Sequence, residues 1–180
     1  MRKGMTRRDL LAAGLALPFS GLAHAQLTCG ELTQPETEGP FFKPKSPERF
    51  SLLQNDSPKE KTIILSGVVL SRACEPVANA LLDFWQADDA GEYDNRGFRY
   101  RGHQLSDAEG RFRLETIVPA QYPGRTRHIH VKVQAPGRRL LTTQIYFPGD
   151  PGNARDPLYR ADLTMRRTGS EGRFDFVIDA

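Results

Sequence analysis

Tyr122-Pro123-Gly124-Arg125-Thr126-Arg127-His128-Ile129-His130, continued at once by Val131-Lys132-Val133, decides how this 180-residue chain is read. Successive side chains of an extended strand point to opposite faces. His128, His130 and Lys132 therefore share one face, and Ile129, Val131 and Val133 the other. The apolar set is the buried face. The two histidine Cα atoms then stand about 6.6 Å apart, two steps of roughly 3.3 Å. Leaning together, their rings can reach one metal ion at the roughly 2.1 Å of an imidazole–metal bond. Taken alone, the pair also reads as two half-exposed strand histidines.

Outward from this strand the same kind of signal recurs. Residues 62–70 (Thr-Ile-Ile-Leu-Ser-Gly-Val-Val-Leu) are rich in β-branched side chains, and residues 79–86 (Asn-Ala-Leu-Leu-Asp-Phe-Trp-Gln) form an apolar run with the chain's only tryptophan. Ser106-Asp107-Ala108-Glu109-Gly110 reads as a turn, after which Phe112 and Leu114 alternate with Arg111, Arg113 and Glu115. Residues 140–147 and the alternation of Phe174, Phe176 and Ile178 add two more strands. Six or more short strands, with no long amphipathic helix, predict an all-β fold. It is a single-domain sandwich of mixed or antiparallel sheets with long loops. Residues 157–165 are the one place where a helical turn or two is expected.

The ends set other limits. Arg2 and Lys3, then Thr6-Arg7-Arg8-Asp9-Leu10-Leu11, then a short apolar run closing on Ala23-His24-Ala25, read as a signal peptide with a twin-arginine pair over residues 1–25. The general secretory route is the alternative, and either places the mature protein in the periplasm or outside the cell. The apolar run is too short and too interrupted to span a bilayer, so no stable membrane association is expected. Four of the 25 basic residues and one of the 22 acidic residues lie in that segment, leaving 21 of each. The mature chain is thus formally neutral, and its charge gives no reason to expect a nucleic-acid partner. Residues 26–60, with much Pro, Thr, Glu and Lys, read as an extended arm, and 61–180 as the sandwich domain. Cys29 and Cys74 are the only cysteines. In an oxidising compartment they read as one disulfide, closing a loop of about 46 residues worth roughly 4 kcal/mol; two free thiols are the other reading.

After the signal, three histidines remain: His103, His128 and His130. That is too few for an imidazole-only metal site of the dismutase kind, while tyrosines stand where loops meet strands. At this point several motifs come together. Trp85-Gln86-Ala87-Asp88 with Gly91-Glu92-Tyr93, Arg101-Gly102-His103-Gln104, and Ser106-Asp107 with Gly110 resemble the intradiol ring-cleavage dioxygenases. So do Thr116-Ile117-Val118-Pro119 with Tyr122-Pro123, Arg125 with His128-Ile129-His130, and Thr143-Gln144-Ile145-Tyr146-Phe147. Thr37-Glu38-Gly39-Pro40 is similar to the family's N-terminal signature. The likeness spans most of residues 35–150, and the chain resembles the short, exported, single-domain branch.

The resemblance implies a non-haem Fe(III) held by Tyr93, Tyr122, His128 and His130, a donor set whose phenolate oxygens suit a hard ferric ion. It implies a catechol-type substrate and O2, with a cis,cis-muconate-type diacid as product. Tyr122 corresponds to the tyrosinate that gives way to substrate. Arg125 corresponds to a cation beside the ring, and Gln144 to a residue lining the pocket. Gly39, Pro40 and Phe41 match the substrate-lining segment, with Phe41 standing where some members carry tyrosine. Tyr100 and Tyr146 match no ligand position and read as structural; His103 reads as structural or as a neighbour of the site. An exported sandwich that binds iron or a catecholate without turnover is the competing reading, and homo-oligomerisation is left open.

Overall fold

Thr62–Ser71 forms the longest strand, β1, and its side chains alternate strictly between partly exposed and buried. In the computed structural model, which describes residues 30–180, eight further strands follow: β2 (Leu81–Trp85), β3 (Arg101–Leu105), β4 (Arg111–Ile117), β5 (His128–Gln134), β6 (Leu141–Tyr146), β7 (Arg166–Thr168), β8 (Glu171–Arg173) and β9 (Phe176–Ile178). Five make one sheet in the order β4-β1-β8-β7, with β9 also paired to β1, and four make the other in the order β3-β2-β5-β6. β8 and β9 run parallel to β1 and every other pairing is antiparallel. This is an all-β sandwich as the alternation predicts, with the five-stranded sheet mixed and the four-stranded sheet antiparallel. The helical turn expected over 157–165 is a single 3-10 turn at Ala161–Leu163, with another at Lys59–Lys61. Among the described residues no helix is long and apolar enough to cross a membrane.

The core lies between the sheets. Leu82, Phe84, Ile129, Val131, Val133 and Ile145 from one sheet, and Ile63, Leu65, Leu114 and Phe176 from the other, are wholly removed from water. Their burial supplies the main stabilisation of the sandwich. Gly67 interrupts the apolar pattern of β1 for a steric reason: a Cβ there would lie 1.7 Å from the carbonyl oxygen of Phe174, where the C-terminal chain passes from β8 to β9. Gly67→Ala is therefore expected to destabilise the fold by about 3 kcal/mol, read as a lower denaturant midpoint at unchanged m-value.

Residues 30–58 contain no strand of their own, yet they are stitched along the sheet edges. Thr33 N–H donates to the Val177 carbonyl, Glu36 N–H to Thr142, Arg49 N–H to His103 and Leu52 N–H to Glu115. These bonds cover edges that would otherwise present unpaired backbone groups. His103, one of the three histidines considered above, belongs to this stitching: its Nδ1 lies 2.7 Å from the Ser46 carbonyl. The anticipated signal peptide and Cys29 lie outside the described residues.

Three strands have no counterpart in the sequence reading. β7 and β8 are three-residue strands in a hairpin. β3 lacks alternation because the arm covers its outer face and buries Arg101, while Gln104, opposite Leu82, faces inward and accepts from Arg113 N–H on β4.

Candidate functional site

Strand pairing builds the site on the face of the four-stranded sheet that points away from the core. Arg101 is paired with Trp85, Trp85 with His130, and His130 with Gln144, so one cross-strand rung carries four large side chains. The neighbouring pair is His128 with Tyr146. The arm roofs this face. His128 and His130 are consequently only 4% and 3% exposed, and the reading as half-exposed strand histidines does not hold.

The two imidazoles converge. Their Nε2 atoms are 3.1 Å apart. His128 Nδ1–H donates to the Thr126 carbonyl at 2.6 Å, which leaves a lone pair on its Nε2. His130 is sandwiched: Trp85 stacks on it at 4.7 Å and 7°, and Gly39 backs its Cε1 edge closely enough that an added Cβ would be 3.6 Å away. His130 Nδ1 has no hydrogen-bond partner. Burial drives the pKa of His128 down to about 4. Burial, then the nearby His128, Arg125 and Arg101 charges, drive His130 well below its usual range. Both rings are neutral near pH 7, which is the form that ligates a metal.

Tyr93, in the loop between β2 and β3, reaches the same point, its hydroxyl 3.3 Å from His128 Nε2. Gly91 makes that approach feasible. Its φ is +87°, and a Cβ there would lie 2.5 Å from the carbonyl oxygen of Gln121, so only glycine lets this loop touch the one bearing Tyr122. Burial pushes the Tyr93 phenol well above its ordinary value, with the cations Arg125 and Arg101 opposing and Tyr122 reinforcing the rise. Tyr122 begins a turn closed by Arg125 N–H onto its carbonyl at 2.8 Å, with Gly124 at φ +80° as the position that requires glycine. The Tyr122 ring lies edge-on to Tyr93 at 6.0 Å between centroids. Phe41 stacks on Tyr93 at 4.5 Å and meets Tyr122 edge-on at 5.3 Å.

These four predicted ligands thus share one neighbourhood. Among the described residues no group of three or more His, Cys, Asp or Glu is placed to hold a metal. The Tyr93 phenol oxygen is a further donor beside the two imidazoles. Two neutral, convergent imidazole nitrogens with phenol oxygens and no thiolate fit a hard, highly charged cation.

Arg125 lies beside this cluster, its side chain 15% exposed. Its Nε donates to Asp156 Oδ2 at 2.9 Å, and its Nη2 to Gln144 Oε1 at 2.6 Å and the Tyr146 hydroxyl at 3.3 Å. Gln144 Nε2 donates to the Thr37 carbonyl, which fixes the amide with its oxygen toward the arginine. Burial pushes the Asp156 carboxyl up, but backbone N–H groups of Leu158 and Thr126 and the Arg125 guanidinium outweigh it and keep it ionised. Asp156 is absent from the sequence reading, as are the roles of Tyr146 and Arg101. The one available signal for Asp156 is an acidic residue before Pro157 in a loop, which is common on any surface.

A sequence family described as Dioxygenase matches residues 37–179. The chain is 36% identical over 141 residues to the protocatechuate 3,4-dioxygenase beta chain of Burkholderia cepacia, covering 68% of this chain and 60% of that protein. It is 30% identical over 176 residues to the hydroxyquinol 1,2-dioxygenase of Nocardioides simplex, covering 84% of this chain and 58% of that one. Among solved structures, the dioxygenase domain of a dioxygenase carbohydrate-binding protein fusion from Streptomyces sp. SirexAA-E superposes with a TM-score of 0.79 at 55% identity, covering 83% of this chain and 99% of that domain. The 3-chlorocatechol 1,2-dioxygenase of Rhodococcus opacus 1CP gives 0.73 at 30% identity, covering 81% and 71%. The chain spans about 60% of the length of the curated relatives it matches.

Proposed function

We propose, from the premise that this chain belongs to the intradiol ring-cleavage dioxygenase family, that it opens a catechol-type ring with O2 between the two hydroxyl-bearing carbons. Both oxygen atoms enter the product, a cis,cis-muconate-type diacid. The observation that carries this reading is the convergence of Tyr93 and the two buried imidazoles beside a restrained arginine. Tyr93, Tyr122, His128 and His130 are the residues that would hold a ferric ion. When bound, that ion supplies the electron withdrawal that makes a coordinated catecholate ring reactive toward O2.

The remaining work falls to the chain. Tyr122, on its turn, would accept a catechol proton at its phenolic oxygen. Tyr93 and the two imidazoles, buried and stacked, stay fixed. Arg125 holds a positive charge where the attacked ring carbon becomes electron-rich, and a preorganised charge of this kind lowers the barrier without reorganising as the reaction proceeds. Gln144, by accepting from Arg125, keeps that charge aimed. Gly39, Pro40 and Phe41 close the roof and exclude water; Phe41 offers ring contact and no side-chain hydrogen bond. Residues 1–25 would direct export, so the reaction would take place outside the cytoplasm.

Oxygen uptake by the iron-loaded protein, supplied with a panel of catechols, tests the proposal. Stoichiometric O2 consumption with an open-chain diacid by mass spectrometry is the expected result; iron-loaded protein that consumes no O2 with any of them would leave only a binding role. Asp156→Asn should keep iron content unchanged while lowering kcat about tenfold, because the guanidinium loses the charged partner that orients it. Steady-state kinetics beside an iron assay check this.

A further inference from the structure

Arg101 stands at the end of the cross-strand rung, next to Trp85, and is 1% exposed. A buried guanidinium is ordinarily paired with a carboxylate, since an uncompensated charge in a low-dielectric interior costs several kcal/mol. Among the described residues Arg101 has no ion-pair partner. Nε donates to the Asp94 carbonyl at 3.0 Å and Nη1 to the Phe41 carbonyl at 2.6 Å, while Nη2 is buried with no partner at all. The nearby Asp94 carboxylate is already engaged by the backbone N–H groups of Arg96, Gly97 and Arg99. What Arg101 does face is the ring of Tyr93, with its guanidinium carbon 6.0 Å from the centroid.

Resting on the ferric-site reading above, we infer that Arg101 is a positioning residue of the site. It supplies the fixed positive charge that balances the Tyr93 phenolate, and its two carbonyl bonds hold the Tyr93 loop and the Phe41 roof in register. The Asp94 and Asp83 carboxylates favour the Arg101 charge without forming an ion pair with it. A Tyr93 phenolate bound to iron would face this cation directly. The charge therefore stabilises the tyrosinate in its metal-bound form, independently of any contact with substrate.

The test uses iron-loaded wild type, Arg101→Met and Arg101→Lys, read by the visible absorption of tyrosinate bound to ferric iron. Without the neighbouring cation the phenolate's donor electrons lie higher, so in Arg101→Met the band moves to longer wavelength. Iron is also lost to a chelator about tenfold faster, the effect of removing a unit charge at this range through a partly screened interior. Arg101→Lys keeps the charge and loses the planar fork, so the band stays near the wild-type position while thermal stability falls. An unmoved band in folded Arg101→Met, or an equal shift in both variants, overturns the inference. If the methionine variant does not fold, Arg101→Gln takes its place beside Arg101→Lys: a shift to longer wavelength in the glutamine variant alone supports the charge role, and an unmoved band in it sinks it. A wild-type protein that takes up iron without such a band defeats the ferric tyrosinate reading itself, a result distinct from failure of the Arg101 role.

Discussion

His130→Ala is expected to yield a folded protein that is colourless, retains iron at least about a hundredfold more weakly than wild type, and turns over no catechol. His130 supplies one of two imidazole nitrogens 3.1 Å apart, and among the described residues the remaining imidazole, His103, is held by the Ser46 carbonyl. The ring is stacked on Trp85 and backed by Gly39, so its removal leaves a cavity that neither rigid neighbour readily fills. That cavity costs about 2 kcal/mol, partly offset because the metal-free fold no longer buries a polar Nδ1 without a partner. Tyr93→Phe removes the phenol oxygen with almost no change in packing and is expected to lose iron and colour likewise. Elemental analysis, visible absorption and the melting of metal-free forms separate ligand loss from unfolding. A full iron complement in either variant would show that the ligands lie elsewhere.

Arg125→Ala should do the opposite. Iron and colour stay, and kcat falls by roughly a hundredfold to a thousandfold, the range typical for removing one preorganised electrostatic group from an active site. The guanidinium touches none of the four proposed ligands by hydrogen bond; its partners are Asp156, Gln144 and Tyr146. Loss of this side chain leaves Asp156 still satisfied by the N–H groups of Thr126 and Leu158, so the surrounding loop should persist. Single-turnover absorption changes on mixing with catechol and O2 would locate the defect after substrate binding. Activity within a factor of about two of wild type would remove Arg125 from the mechanism.

Strand alternation made much of this architecture legible. The register of β5 is readable because three branched apolar residues occupy every second position, and a one-residue slip would turn them all outward. The pairing of Tyr93 with Tyr122 is not readable in that way, since both sit on loops and their meeting depends on the close approach at Gly91. Their assignment in the sequence rested on resemblance. Arg101 and Asp156 escaped for different reasons. Arg101 lies on a strand whose polar face is buried by a separate segment, which defeats the rule that polar residues point to water. Asp156 meets Arg125 across 31 positions that include β5 and β6, and both residues sit on loops with no periodicity to link them.

The stitching of the arm has a kinetic consequence. Val177 N–H donates to the Thr33 side chain across 144 positions, and the segment so anchored runs directly into the Thr37–Phe41 ceiling. Such distant pairings are slow to form, because the chain surrenders its freedom before any contact rewards it. Glu36 and Thr37 hold the ceiling to β6, but its start at Thr33 is secured only once the C-terminal strand has arrived, and a metal centre beneath it would mature late. Colour gained by the iron-loaded protein during refolding would then report the closing of the Thr33–Val177 contact, the longest span among these bonds.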